Sequence, residues 1–250
     1  MSGHGSVCSQ RFEYKYVISE AQAEGVTAWA MAHLEPDVHA DRAHHNEYMV
    51  QSLYLDTDDL SLYHDTVVGK LNRFKLRVRW YDDQPDTPAF LEIKARRNDV
   101  IEKARAPVRK KPVERIMGGF FMSPSDLDEN TPETLGALGR FCELGAKLAA
   151  RPVLIVRYRR EAYIDPTGRP VRLTVDRDIK CLRAGRLVGD IENQPWLATA
   201  DPRAVLEVKF TDTFPNWARD MVQALNLMRT SAAKYVRSVD ALAAMGVGMA

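Results

Sequence analysis

The 250-residue sequence has no apolar run near the roughly 20 residues needed to span a bilayer, and its N-terminus has no charged-then-apolar secretory pattern. A membrane-spanning helix and an exported precursor are therefore not indicated, and a cytoplasmic location is expected. Cysteine is scarce. Cys8, Cys142 and Cys181 are odd in number and far apart, giving neither a disulfide framework nor a zinc spacing, so they read as reduced thiols. No charge sign is in excess: 35 Lys and Arg stand against 34 Asp and Glu, a net charge of +1, which argues against a nucleic-acid surface. Fixed-period repeats are also missing.

What is present fits a folded protein of one large domain over residues 11–245, behind a Gly- and Ser-rich leader at 1–10 read as disordered. Hydrophobic residues make up 45% and charged residues 28%, enough of each for a buried core and a polar surface. The charge is unevenly placed. Basic residues gather in strand-like segments, while Asp126, Asp128, Glu129 and Glu133 lie in a connecting region. Three segments repeat a Glu-x-Lys pair: Glu13-Tyr14-Lys15, Glu92-Ile93-Lys94 and Glu207-Val208-Lys209. In a strand each Glu and Lys share a face, and Phe12, Tyr14, Leu91, Ile93, Leu206 and Val208 take the other. Arg73, Lys75, Arg77 and Arg79 make a basic ladder backed by Phe74, Leu76, Val78 and Trp80. Such a ladder either faces water or converges with others on a polyanion.

Patterning predicts a strand over 10–18, then a helix to about Leu34 opened by a capping box of Ser19 and Gln22 and stopped by Pro36. A polar loop follows over 37–45, a strand over 48–55, and a short helical stretch from Asp56-Thr57 to Tyr63. Strands over 71–81, 89–96 and 100–108 form a meander. Residues 112–147 read as mostly helical, with Ser125 or Thr131 as cap and breaks at Gly118-Gly119 and Pro124. Strands over 151–164 and 170–179 flank the turn Asp165-Pro166-Thr167-Gly168. A further strand is expected over 181–190, another over 203–211, a helix over 215–227, and a helical or strand-like element over 234–244. About eight antiparallel strands result, the number that can close into a barrel with room for side chains or one small ligand. The expected class is α+β. Either the apolar faces fill the barrel, or the charged faces line it and the amphipathic helices cover the outside.

In collinear order the chain carries Arg11-Phe12-Glu13-Tyr14-Lys15-Tyr16, Ser52-Leu53-Tyr54-Leu55-Asp56-Thr57, Lys75-Leu76-Arg77-Val78-Arg79-Trp80-Tyr81, Leu91-Glu92-Ile93-Lys94 and Glu102-Lys103-Ala104-Arg105. Tyr158 to Tyr163, Arg172-Leu173-Thr174-Val175-Asp176, Leu206 to Lys209 and Lys234-Tyr235 follow. Over residues 11–239 this set resembles the VTC domain, the polyphosphate polymerase domain of vacuolar transporter chaperone proteins, within the triphosphate tunnel metalloenzymes. The resemblance implies a closed antiparallel β-barrel, or tunnel, with helices packed outside, binding ATP or another triphosphate and polyphosphate with Mn²⁺ or Mg²⁺. By that comparison Lys15, Arg77, Arg79, Lys94, Lys103, Arg160 and Arg172 hold phosphate oxygens and Lys234 closes the site. Lys75, Arg105 and Lys209 are further substrate-binding candidates. Glu207 is the expected metal ligand, with Glu13, Glu92 and Asp176 as possible support. The implied reaction transfers the γ-phosphate of ATP to a growing polyphosphate chain. Where the family has Ser-Lys-Tyr this chain has Ala233-Lys234-Tyr235, so the hydroxyl contact of that Ser is absent unless Ser231 replaces it.

Two other readings use the same cations: a tunnel triphosphatase in which water attacks, and a non-catalytic polyphosphate- or polyanion-binding module. Other features have plainer explanations. His39, His44, His45 and His64 lack the spacing of a metal site and read as solvated; Asp56, Asp58 and Asp59 read as a helix-start cap; Trp29, Trp80, Trp196 and Trp217 read as packing residues. Asp176 shares a face with Arg172 and Thr174, so it either pairs with an arginine or assists the metal.

Overall fold

Alternation of apolar and charged residues gives the long strands one face for a core and one for charge. The computed structural model describes residues 11–40, 46–82, 84, 86–98, 100–109, 122–184, 191, 194–199 and 203–246. The leader expected over 1–10, with Cys8, and His44, His45 and the Gly118-Gly119 break lie outside them. Elements in chain order are β1 (Arg11–Ile18), α1 (Glu20–His33), β2 (Glu35–Pro36), β3 (Glu47–Asp56), α2 (Ser61–Val67), β4 (Asn72–Trp80), β5 (Ala89–Arg97) and β6 (Val100–Val108). They continue with α3 (Pro132–Lys147), β7 (Arg151–Ile164), β8 (Arg172–Arg183), β9 (Leu197–Ala198), β10 (Ala204–Thr211), α4 (Asn216–Ala224) and α5 (Lys234–Ala244). The fold is α+β and rich in antiparallel sheet. Two compact units are distinguished: Met1–Glu47, Arg160–Asp176 and Arg203–Ala232 form the first; Tyr48–Arg159, Arg177–Pro202 and Ala233–Ala250 form the second.

In the first unit β1 pairs with β10 and β10 with β8, in a register that sets Lys15 beside Glu207 beside Thr174, and Glu13 beside Lys209 beside Arg172. Residues of the opposite face, including Tyr16, Leu173, Val175, Leu206 and Val208, are buried with Ala23, Val26 and Ala30 of α1 and Met221 of α4. The capping box forms as the sequence predicts, Ser19 Oγ accepting from Gln22 N and Gln22 Oε1 from Ser19 N. Gly25 lets α1 approach closely, since a Cβ there would lie 2.8 Å from Leu225 Cδ2.

In the second unit β3 pairs with β4, β4 with β5 and β5 with β6, the predicted meander. Leu53, Leu76, Val78, Leu91, Ile93 and Ala106 share a core with Ala137, Leu138 and Phe141 of α3. In each unit, then, helices cover the apolar sheet face and the charged side chains take the other. The sheet's strand order is β1-β10-β8-β7-β3-β4-β5-β6, with β2 on β7 and β9 on β8. No ladder among the described residues joins β1 to β6, so hydrogen bonds leave the expected ring open there. No helix among the described residues is long and apolar enough to cross a membrane, which says nothing about strands.

Three local expectations change. The helix expected from Asp56 begins at Ser61, because Leu60 is left-handed (φ 56°) and the Asp56 and Thr57 side chains cap from upstream. Asp56 accepts from Leu62 N and Tyr63 N, both at 2.9 Å, and Thr57 Oγ1 accepts from Ser61 N at 2.8 Å. In the stretch expected to be mostly helical, the α-helix starts at Pro132 with Thr131 as cap, and Pro124–Asp126 is only a 3₁₀ turn capped by Ser123. The separate strand expected over 181–190 is in part the end of β8, which runs to Arg183; Asp178, at φ 53°, kinks that strand without ending it. Cys142 and Cys181 are free thiols. Trp80 is buried, Trp29, Trp196 and Trp217 pack against the cores, and His39 and His64 are exposed.

Asp56 is fully buried, and Tyr235 Oη of α5 donates to its second oxygen at 2.7 Å, so one carboxylate joins β3, α2 and α5. Replacing Asp56 with Ala is expected to cost about 2–4 kcal/mol from the lost cap and the orphaned Tyr235 hydroxyl. Asp58→Ala, which removes only an exposed pair with Arg151, is expected to cost under about 1 kcal/mol. Urea unfolding of the two variants measures both; equal costs would contradict the capping role.

Candidate functional site

On the charged face of the second unit the register produces three rows: Ser52, Arg79 and Phe90; Tyr54, Arg77, Glu92 and Arg105; and Lys75, Lys94 and Lys103. Like charges set directly across strands repel, so the lysine row stores a demand for anions. Glu92 meets part of it. Fully buried, it takes Arg77 Nη2 at 2.6 Å and Nε at 2.7 Å on Oε2, with Arg79 Nε 4.0 Å away. Lys103 Nζ at 2.5 Å and Arg105 Nε at 3.3 Å face Oε1. Those last two contacts are held by charge more than by aligned hydrogen bonds, since Oε1 has no partner of good hydrogen-bond geometry. Arg79 also donates to Ser52 Oγ (3.1 Å) and Tyr158 Oη (3.2 Å), and Arg77 to Tyr54 Oη (3.3 Å). Arg105 lies 3.5 Å over the Phe90 ring, and Lys234, the first residue of α5, lies 4.9 Å over Tyr158. Ala233 gives α5 no side-chain cap.

The local field is positive. Burial would raise the Glu92 pKa, yet Arg77, Arg79 and Lys103 hold it far below the usual carboxylate range. Burial would also raise the Tyr54 phenol, but Arg77, Arg79 and Lys75 draw it down to about 8. Lys103 falls to about 8, through burial and then repulsion by Arg105 and Arg77, against the pull of Glu92. The lowered phenol marks a face on which Arg77, Arg79 and Lys75 outweigh the effect of burial at Tyr54.

The first unit's charged face is different. Lys15 Nζ lies 2.8 Å from Glu13 Oε1 and 3.4 Å from Glu207 Oε2, and Lys209 Nζ lies 2.6 Å from Glu207 Oε1. Burial would lower the Lys15 pKa, but Glu207 and Glu13 hold it above its ordinary value. Arg160 grips buried Asp176 with two bonds, Nε to Oδ1 at 2.6 Å and Nη2 to Oδ2 at 2.8 Å, and Arg172 Nη2 reaches Asp37 at 2.8 Å. Here cations and carboxylates are matched.

The predicted residues therefore fall into two sets. Lys75, Arg77, Arg79, Lys94, Lys103, Arg105, Glu92 and Lys234 belong to the second unit, and Lys15, Arg160, Arg172, Lys209, Glu13, Glu207 and Asp176 to the first. Of the open choices for Asp176, the structure gives the arginine pair. Sequence reasoning missed Tyr54, Ser52, Tyr158 and Asp37 as partners of the arginines; for the first two, alternation along β3 was the available signal, as both stand on the face of Arg77 and Arg79.

The family model for the VTC domain matches residues 10–243. The chain belongs to the VTC domain family. It is 23% identical over 208 residues to Vacuolar transporter chaperone complex subunit 4 of Schizosaccharomyces pombe, an alignment covering 70% of this chain and 29% of that protein, so the chain spans under a third of that curated relative. Among solved structures it is similar to the PH1819 protein from Pyrococcus horikoshii OT3, with a TM-score of 0.47 and 11% identity over 94% of this chain and 99% of that one.

No three His, Cys, Asp or Glu side chains gather as a ready metal site among the described residues of this VTC domain. Glu13 and Glu207 are the carboxylates of this face whose chemistry suits Mg²⁺ or Mn²⁺, which takes one or two carboxylates and completes its shell with phosphate oxygens and water, but both are held here by Lys15 and Lys209.

Glu92→Gln removes the counter-charge from buried arginines and is expected to cost about 3–5 kcal/mol. Added tripolyphosphate should recover much of the lost melting temperature in a thermal scan; a variant as stable as wild type would contradict the role given to Glu92. The pH dependence follows from Lys103 and Tyr54. Below about pH 8 Lys103 is charged in the free protein and phosphate binds without proton uptake. As pH rises through about 8 the ammonium is lost and the Tyr54 phenolate forms beside Arg77, so tripolyphosphate affinity should fall, by up to about tenfold per pH unit for each proton taken up on binding. Calorimetric titrations from pH 7 to 9.5 should show this fall flattened in Lys103→Arg and in Tyr54→Phe; an unchanged slope in both would contradict the assignment.

Proposed function

We propose that this VTC domain is a polyphosphate polymerase-type phosphotransferase that moves the γ-phosphate of ATP onto a growing polyphosphate chain in a basic tunnel, using Mn²⁺ or Mg²⁺. The observation that carries the reading is the row of Lys75, Lys94 and Lys103 beside Arg77, Arg79 and Arg105, with Glu92 as the one carboxylate among these strand cations. A face built this way needs a ligand with several negative charges at close spacing, which a phosphate chain supplies and a single carboxylate does not.

Phosphoryl transfer needs in-line placement and charge stabilisation, so no side-chain nucleophile is called for. The terminal phosphate oxygen of the chain attacks the γ-phosphorus, the bond to the bridging oxygen of ADP breaks, and ADP leaves with that electron pair. Arg77 and Arg79, held in place by Glu92, Ser52 and Tyr158, present forked donors to equatorial oxygens. Lys75, Lys94, Lys103 and Arg105 neutralise the chain alongside. In the first unit Arg160 and Arg172, oriented by Asp176 and Asp37, act with Lys15 and Lys209 as phosphate ligands; in the second, Lys234 acts with the strand cations. A divalent ion held by Glu207 and Glu13 would supply Lewis-acid neutralisation of phosphate oxygens. The family membership and the similarity to a protein named as a vacuolar transporter chaperone subunit support the synthetic direction.

Incubating the purified protein with ATP and Mn²⁺ and resolving products by gel and phosphorus NMR tests this. Wild type should make long polyphosphate, and Lys94→Ala and Glu207→Ala should each lose at least about tenfold in rate. Orthophosphate as the sole product would replace the polymerase with a triphosphatase, and tight binding without turnover would leave a polyanion-binding module.

A further inference from the structure

Thr174, the third residue of β8, is 1% exposed, and its Oγ1 has no hydrogen-bond partner among the described residues. A hydroxyl buried this way is costly, whereas valine has the same shape and strand preference without that cost. Its surroundings are those of the phosphate and metal candidates. Thr174 lies directly across from Glu207 in register, and Arg172 and Asp176 flank it on the same face of its own strand. Without ligand, the Glu207 oxygens are taken by Lys15 and Lys209.

We propose that Thr174 is a further substrate-binding residue, whose hydroxyl donates to a phosphate oxygen of a polyphosphate or triphosphate seated on Lys15, Lys209 and Arg172. This rests on the phosphate-binding reading of the same face. Lys209 is partly exposed, and both lysines have flexible four-carbon stems. When they turn from Glu207 to the incoming phosphate, a phosphate oxygen beside Glu207, which pairs with Thr174 across the strands, gives the hydroxyl the acceptor it lacks. The same turn releases the Glu207 carboxylate for a divalent ion, so phosphate binding and cation binding on this face reinforce each other.

The test uses the whole protein, inorganic tripolyphosphate as probe, and Thr174→Val beside Thr174→Ser. Without ligand, Thr174→Val should melt at or above the wild-type temperature, while its Kd for tripolyphosphate rises about tenfold or more, the loss of a charge-assisted hydrogen bond; Thr174→Ser should keep most of the affinity. A valine variant that binds within twofold of wild type overturns the proposal. So does one that melts lower, because the hydroxyl would then have an internal structural partner. Lys94→Ala, titrated in parallel, reports on the parent reading: if it weakens binding and Thr174→Val does not, this inference alone fails. If neither variant weakens binding, or if wild type does not bind the probe, both fail.

Discussion

The fully buried carboxylate of Glu92, gripped by Arg77 and approached by Arg79, Lys103 and Arg105, is the constraint on which the candidate site depends. Without it, four cations on the two strands flanking β5 would repel one another on a face that the meander brings together. With it, both arginines have defined side-chain positions, fixed further by Ser52, Tyr54 and Tyr158. Among the described residues of these strands Glu92 is the carboxylate on this face, and the Tyr54 phenol, drawn down by Arg77, Arg79 and Lys75, records the positive field around it. The result is a set of cations held in fixed positions on one face, the arrangement on which the proposed phosphate binding rests.

The two units use the same strand chemistry to different ends. The β1-β10-β8 face alternates Lys and Arg with Glu and Asp so that Lys15, Lys209, Arg160 and Arg172 each have a carboxylate close by. The β4-β5-β6 face is cation-rich, the pattern suited to phosphate alone. In both, the apolar backs of the same strands are sealed by helices, α1 and α4 in one and α3 in the other. The core thus fixes which side of each strand is available for charge, and a one-residue slip in register would bury lysines and expose leucines.

Much of this was legible because strand periodicity is simple. The Glu-x-Lys pairs and the Arg73 to Arg79 ladder identified the charged faces before any pairing was known, and the Ser19–Gln22 capping box marked α1, while the cap of α3 was left between Ser125 and Thr131, of which Thr131 serves. The family resemblance supplied roles for Lys15, Glu207 and Lys234 that periodicity does not contain. What stayed hidden depends on contacts distant in sequence. Nothing near Asp56 announces Tyr235, 179 residues away, and nothing near Arg172 points to Asp37. Glu92 read as one Glu-x-Lys pair among three; only the cross-strand register gives it Arg77 and Arg105 as neighbours. The start of α2 was misplaced because a left-handed Leu60 is a rare choice that local patterning does not suggest.

An experimental structure of the protein with bound tripolyphosphate tests the central claim most directly. The account predicts phosphate density along the β4-β5-β6 charged face, with oxygens within hydrogen-bond distance of Arg77, Arg79 and Lys94 while Glu92 keeps its arginine. Tripolyphosphate bound elsewhere, with these three side chains in contact only with water, would contradict it.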